Sequence, residues 1–284
     1  MTGVQTCALP IWTHISLPNT DLIRRIQFLD KDRGWLVTHR GRIMSSEDGG
    51  ITWKVRHTED NQINLRNIKF FNADVGWAVG HEGTILYTND GGETWANKPL
   101  SNFTGRDLPR LNGLTVLSDT RAMLAGEFGV IAETTDAGET WTIISSPDFK
   151  ATFTEIEQVG DSILAVGLDG VVASVHYEKI DPTSSSGDGE LGRVEILNSG
   201  VNQHFFDIVA NENGEGIIVG LANILVIKNE LEFSQVEIDR PDRNYLYFMG
   251  ATPISESKYV LVGARGLAVT LDTTTTKING LIKW

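Results

Sequence analysis

The chain has 284 residues, with 37 acidic against 24 basic side chains and a formal net charge of −13. That length can bury roughly three quarters of the surface its unfolded form exposes. The acidic balance disfavours nucleic-acid backbone binding across the surface as a whole. No apolar run approaches the ~20 residues that cross a bilayer as a helix, and one cysteine, Cys7, leaves no disulfide to form within the chain.

The first segment, Met1 to Ile11 (MTGVQTCALPI), resembles a translated short-read sequencing adapter and is set aside from fold reasoning, as a fusion scar would be. Cys7 leaves with it, and so do thiol catalysis and cysteine metal ligation. Trp12 to Pro18 (WTHISLP) then reads as an orphan outer strand, and residues 12–284 as a single β-propeller domain. The expectation is a seven-bladed parent truncated within its first blade, its export signal lost. The alternative is a complete six-bladed ring that this strand closes, protecting an exposed edge.

Three units follow, each ending in a box of the form Ser/Thr-x-Asp-x-Gly-x-Thr-Trp: Ser46–Trp53, Thr88–Trp95 and Thr134–Trp141. Their tryptophans are 42 and 46 residues apart. Such a period marks ring-forming or stacked units, each too small to bury its own apolar face. Upstream of each box the same order recurs: an apolar alternation (IRRIQFL, LRNIKFF, LNGLTVL), a small-residue strand (GWLVTHRG, GWAVGHEG, MLAGEFG) and a short strand (RIMSS, TILYT, VIAET). A last strand starts at the box tryptophan. Period-2 alternation between Gly, Asp and Asn punctuation gives four antiparallel strands per unit.

Fainter copies of the second strand and its turn appear at Ile163–Gly170, Ile217–Asn223 and Tyr259–Gly266. The fold class is therefore all-β: a β-propeller of six four-stranded blades, approximately 20–58, 63–100, 108–147, 152–198, 203–240 and 245–284. In the fourth blade IDPTSSSGDGELG replaces the box with a polar loop. Its acidic residues lack the ligand order and closing Glu of an EF-hand, so a solvated loop is expected there.

In each box the aspartate (Asp48, Asp90, Asp136) is suited to accept turn N–H groups. Gly50, Gly92 and Gly138 meet a conformation that resists side chains, and Thr52, Thr94 and Thr140 complete the turn. Trp53, Trp95 and Trp141 are expected to pack between blades. The boxes thus read as structural anchors.

At DVGWAVGHEGTILYTNDGGETW (Asp74–Trp95), with partial copies at DRGWLVTHRGRIMSSEDGGITW and MLAGEFGVIAETTDAGETW, the chain resembles the photosystem II stability/assembly factor-like propellers of the Asp-box, or bacterial neuraminidase, repeat class. The resemblance is specific over residues 20–145 and weaker, though in phase, over 150–275. It implies a seven-bladed, non-catalytic propeller exported to a lumenal, periplasmic or extracellular side. It also implies, for photosynthetic members, binding of a reaction-centre subunit during assembly through an arginine-rich surface.

In a propeller the first strands line the channel, and their starts share one face with the turns between second and third strands. Arg24 and Arg66 align one blade apart; the next position holds Arg25, Asn67, Gly113, Glu155, Asp207 and Tyr247. The turns add Arg40 and His81, and the connections Arg106 and Arg110. This cluster suits a protein partner bearing carboxylates, because guanidinium forks bond them bidentately. Solvated loop arginines, or pairs with Glu82 and Glu127, are the plainer account. His39 and His81 share a turn position without a third ligand, so no metal and no cofactor are expected.

Two other functions stay open. An Asp-box glycoside hydrolase of sialidase type would use Arg24, Arg66 and Arg110 as a carboxylate clamp and Tyr245 or Tyr247 as nucleophile. Against it, the Arg-Ile-Pro motif found near the start of sialidases is absent and no two carboxylates stand out as a pair. A carbohydrate-binding or adhesion propeller needs no diagnostic residue.

Overall fold

The computed structural model describes residues 15–100, 103–179, 190–211, 213–229, 231–238, 242–275 and 277–281. The Met1–Ile11 segment with Cys7, residues 12–14 of the expected orphan strand, residues 180–189 of the expected polar loop and residues 282–284 lie outside that set; the last three residues of that loop, Glu190–Gly192, belong instead to a strand that runs to Leu197. Ile15 to Pro18 belong to no strand; Leu17 instead packs on Leu36, Met44 and Trp53.

The described strands form six four-stranded antiparallel sheets, the blades of a β-propeller. Blade 1 holds β1 (Ile23–Phe28), β2 (Gly34–Thr38), β3 (Arg42–Ser46) and β4 (Lys54–Thr58). Blade 2 holds β5 (Leu65–Phe70), β6 (Gly76–Gly80), β7 (Ile85–Thr88) and β8 (Ala96–Asn97). Blade 3 holds β9 (Leu111–Val116), β10 (Ala122–Gly126), β11 (Ile131–Thr134) and β12 (Thr142–Ile143). Blade 4 follows with β13 (Phe153–Val159), β14 (Ser162–Gly167), β15 (Val172–Lys179) and β16 (Glu190–Leu197). Blade 5 holds β17 (Phe205–Ala210), β18 (Gly216–Gly220), β19 (Ile224–Lys228) and β20 (Glu232–Gln235). Blade 6 holds β21 (Phe248–Ser255), β22 (Lys258–Gly263), β23 (Leu267–Asp272) and β24 (Lys277–Leu281). None of the described helices is long and apolar enough to cross a membrane.

One hydrogen bond recurs in every blade and fixes its mouth end. The first residue after the second strand donates its N–H to the carbonyl just before or at the start of the first strand: His39 to Leu22, His81 to Asn64, Glu127 to Arg110, Leu168 to Thr152, Leu221 to His204 and Ala264 to Tyr247. Each first strand also bulges once near its start, between Ile23 and Arg25 in blade 1 and between Leu65 and Asn67 in blade 2. This register corrects one alignment. The blade 6 counterpart of Arg25 is Gly250, not Tyr247, because Phe248 pairs with Gly263 as Leu65 pairs with Gly80. Tyr247 sits before the strand, bridged to Leu221 and stacked on Phe206.

Five core clusters of the described residues lie between blades, and a sixth, Leu36, Met44 and Trp53, belongs to blade 1 alone. Trp35, Val37 and Ile43 of blade 1 meet Leu65, Ile68, Phe70, Ala78 and Leu86 of blade 2. Equivalent clusters join blades 2 and 3, 3 and 4, 4 and 5, and 5 and 6. Among the described residues, no further blade packs against the other flank of blade 1. Ile26 is 45% exposed where Ile68, Leu114 and Ile156 are sealed, and Val262 on blade 6 is 44% exposed where Val37 and Val79 are sealed. The same substitution should therefore read differently in two blades. Ile68→Ala should cost about 2–5 kcal/mol through transfer and cavity terms, and Ile26→Ala about 1 kcal/mol or less. Urea unfolding of the two variants measures the contrast, and equal losses would contradict the open flank.

Candidate functional site

The antiparallel order puts the start of each first strand beside the turn between second and third strands, since Ile23 pairs with Thr38 and Leu65 with Gly80. At this mouth Arg24, Arg66, Arg110 and His81 stand within one another's electrostatic reach. Burial, then the guanidiniums of Arg24 and Arg110, lower the basicity of Arg66. Burial, then Arg110, Arg66 and Arg24, lower that of His81. Like charges close together in a partly dry site disfavour one another's charged forms. Two groups temper the cluster. Glu127 pairs with Arg110 at 3.5 Å and accepts the Arg110 N–H at 3.1 Å. The side-chain oxygen of Asn64 accepts from the Arg24 guanidinium.

The other cations of the sequence reading lie elsewhere. Arg25 points down the channel, where its guanidinium bridges Glu155 at 3.1 Å and Asp207 at 3.0 Å on the far blades. Burial works against its charge, but Asp207 and Glu155 more than offset this and raise its basicity. Glu155 also accepts both Asn67 Nδ2 contacts (2.9 and 3.0 Å) and the N–H groups of Leu114 and Ile156. Gly113 makes this approach possible, since a Cβ there would lie 2.6 Å from the Ile156 nitrogen. Asp207 accepts the Ala251 N–H at 3.0 Å. Arg25 is thus a spoke across the ring. Arg40 lies 3.9 Å from Asp21, which also binds Arg42 and accepts from Thr38. Arg106 lines a cleft on blade 3 with Phe103, Phe128 and Lys150. Among the described residues, no three His, Cys, Asp or Glu side chains gather as a metal-binding group.

The boxes occupy the turns between third and fourth strands, at the opposite end of the blades. Asp90 accepts the Thr94 N–H at 2.9 Å, the Thr94 hydroxyl at 2.6 Å and the Thr88 hydroxyl at 2.8 Å. Thr88 in turn accepts the Gly92 N–H at 3.0 Å. Asp48 with Thr52 and Ser46, and Asp136 with Thr140 and Thr134, repeat the pattern. Hydrogen bonds from Thr52 and Thr94 hold the carboxyls of Asp48 and Asp90 down at about 2, and Thr140 lowers Asp136 in the same way.

Trp53 and Trp95 donate their indole N–H groups to Gly50 and Gly92 in their own turns. They also pack edge-on against Phe28 and Phe70 of their own blades. The cross-blade aromatics are chiefly Trp35, stacked 3.9 Å from Phe70, and Trp77, which meets Trp141 edge-on at 5.6 Å.

Three features escaped sequence reasoning: the acceptor Asn64, the Arg25 bridge and the Phe103–Phe128 stack. For the bridge a signal was present, because Arg25, Glu155 and Asp207 hold one register position with opposite charges. For the other two the positions recur, Asn64 just before a first strand and Phe128 in a turn after a second strand, but Phe103 lies in a connection whose path no periodicity sets.

Comparison with known proteins follows the same lines. Residues 4–170 match the family described as Photosynthesis system II assembly factor YCF48; the match begins inside the segment set aside as adapter-like. Photosystem II stability/assembly factor HCF136 of Cyanidioschyzon merolae is 41% identical over 51 residues, 17% of this chain and 12% of that protein. Photosystem II assembly protein Ycf48 of Thermosynechococcus vestitus is 42% identical over 45 residues, 16% of this chain and 13% of that one. The matched stretch is thus about an eighth of either relative's length. A solved structure of YCF48 bound to D1 peptide superimposes with a TM-score of 0.67 at 22% identity, over 93% of this chain and 84% of that one; at such identity the likeness speaks for the fold. With more than half of its length inside the family match, the chain belongs to the Photosynthesis system II assembly factor YCF48 family.

Proposed function

We propose that this propeller is a non-catalytic binding protein that holds an acidic segment of a protein partner at its channel mouth. The observation that carries the reading is the gathering of Arg24, Arg66, Arg110 and His81 on a protein of net charge −13, with Glu127 their paired carboxylate at the rim. Such a cluster gains from an incoming carboxylate what its members lose to one another. The D1 peptide held by the related YCF48 structure supports a protein ligand. On the family's pattern the partner is an assembly intermediate of a membrane protein, met on the lumenal or periplasmic side.

A hydrolytic reading is less favoured because the channel carboxylates Glu155 and Asp207 are clamped by Arg25 and backbone N–H groups, and Glu157 by Lys69, rather than presented to a substrate. The flank between blades 6 and 1 is, on this reading, the seat of a seventh blade. The exposure of Ile26 and Val262 at positions sealed elsewhere supports it.

The test is a fluorescein-labelled heptapeptide of Asp, Glu and Gly read by anisotropy. Wild type should bind it with an affinity that falls as salt rises. The triple variant Arg24→Ala, Arg66→Ala, Arg110→Ala should lose at least about tenfold, ~1.4 kcal/mol, while its thermal melt holds, since like charges are removed. Unchanged affinity would overturn the site, and turnover of a fluorogenic sialoside would overturn the non-catalytic half.

A further inference from the structure

Beside the arginine cluster, blade 3 carries a cleft of about 510 Å³ lined by Phe103, Arg106, Phe128, Val130, Ile143 and Lys150. Its floor is part of the structural core, because Val130 belongs to the cluster between blades 2 and 3, and Phe103 and Ile143 pack against it. Its wall is unusual. Phe128 sits in the left-handed region at φ 59 and is 53% exposed, at a turn position where blades 2, 4 and 6 place Glu82, Asp169 and Arg265. A phenylalanine gains nothing for folding by being held strained and in water. Its ring is kept in place by Phe103, stacked at 6.5 Å and 21°.

Two neighbours connect the cleft to the mouth. Phe128 follows Glu127, the partner of Arg110. Leu108, 55% exposed, lies between the cleft segment and Arg110 in sequence and packs over the blade 2 turn at Gly83. The rim is cationic on balance: Arg106 and Lys150 stand with Asp107, and none of the three forms an ion pair among the described residues. Two of its hydroxyls accept backbone N–H groups, Ser145 from Ile131 and Ser146 from Asp148.

We propose that this cleft is a side-chain pocket for the bound acidic segment: it takes one aromatic or large aliphatic residue, with the adjoining carboxylate met by Arg106 and Lys150. The proposal rests on the mouth being a peptide site and adds the sequence preference of that site. Polar and charged residues then supply attraction, and the buried ring supplies discrimination.

The experiment compares two labelled acidic heptapeptides that differ only in one central residue, phenylalanine or glycine, by anisotropy on the full chain. Wild type should prefer the phenylalanine peptide by about tenfold or more, as expected for a ring leaving water. Phe128→Ser should abolish the preference, and Lys150→Glu should weaken the phenylalanine peptide, each with an unchanged thermal melt. Equal affinity for both peptides in wild type would overturn the pocket and leave the arginine site standing. A preference that survives Phe128→Ser would overturn it too. Failure of both peptides to bind would overturn the mouth site and the pocket together, and binding of a neutral oligosaccharide in place of either peptide would reassign the cleft.

Discussion

Replacing Arg25 with alanine should destabilise the propeller by about 3–5 kcal/mol at pH 8, the usual cost of stripping a buried ion cluster of one partner. Arg25 joins blade 1 to blades 4 and 5 across the channel, and without it Glu155 and Asp207 face each other's charge in a sealed site. The loss should shrink on acidification. Burial, opposed by Arg25 and reinforced by Asp207, pushes the Glu155 carboxyl up to about 7; Lys69 and Glu157 are the other charges facing it. A carboxyl raised above its unfolded value binds its proton more readily in the folded state. Its contribution to stability is therefore complete below about pH 4.5 and is lost as pH rises through about 7. Removing Arg25 raises that carboxyl further, so at pH 5 the variant's Glu155 is neutral and its share of the penalty disappears, leaving the share of Asp207. Chemical unfolding at pH 5 and pH 8 measures the difference. Adding Glu155→Gln to Arg25→Ala should recover part of the loss at pH 8 and flatten the pH dependence. A pH-independent loss would show that Arg25 does not act through the charge of Glu155.

This bridge also marks the limit of what the sequence disclosed. The inner strands were legible because each obeys a local rule: Leu65 and Ile68 recur as Leu111 and Leu114, then as Phe153 and Ile156, each time facing the preceding blade. The boxes were legible because Asp90 bonds to residues within four positions of itself. Arg25 and Asp207 are 182 residues apart, and only ring geometry brings them together. Sequence alignment therefore groups Arg25 with the mouth arginines, although the bulge after Ile23 turns Arg24 to the rim and Arg25 into the channel. Blade 6 misled for a related reason. Its apolar run Tyr245–Leu246–Tyr247–Phe248 offers several strand starts, and only pairing with Gly263 selects Phe248. The mouth cluster itself was readable as a set of positions, but the field shared by Arg24, Arg66, Arg110 and His81 needs their side-chain placement.

Trp77→Ala should be the most damaging single change to the apolar core, at about 3–5 kcal/mol. Trp77 is fully buried, touches Tyr87 and Trp141, and carries the contact between blades 2 and 3. It also explains why the third box needs its glycine. Gly138 adopts φ +80, and a Cβ there would lie 2.9 Å from the Trp77 ring and 3.1 Å from Lys98. Gly138→Ala should therefore cost about 1–3 kcal/mol from the left-handed backbone plus a clash with the indole. Only the second part depends on Trp77. In a double-mutant cycle, Gly138→Ala should cost less in the Trp77→Ala background than in wild type, with a coupling of about 1 kcal/mol or more. Additive losses would mean that the glycine answers to its own backbone and not to the neighbouring blade. A coupling makes the box a joint between blades: Asp136 shapes the turn, Gly138 leaves room in it, and the tryptophan of the blade before it fills that room.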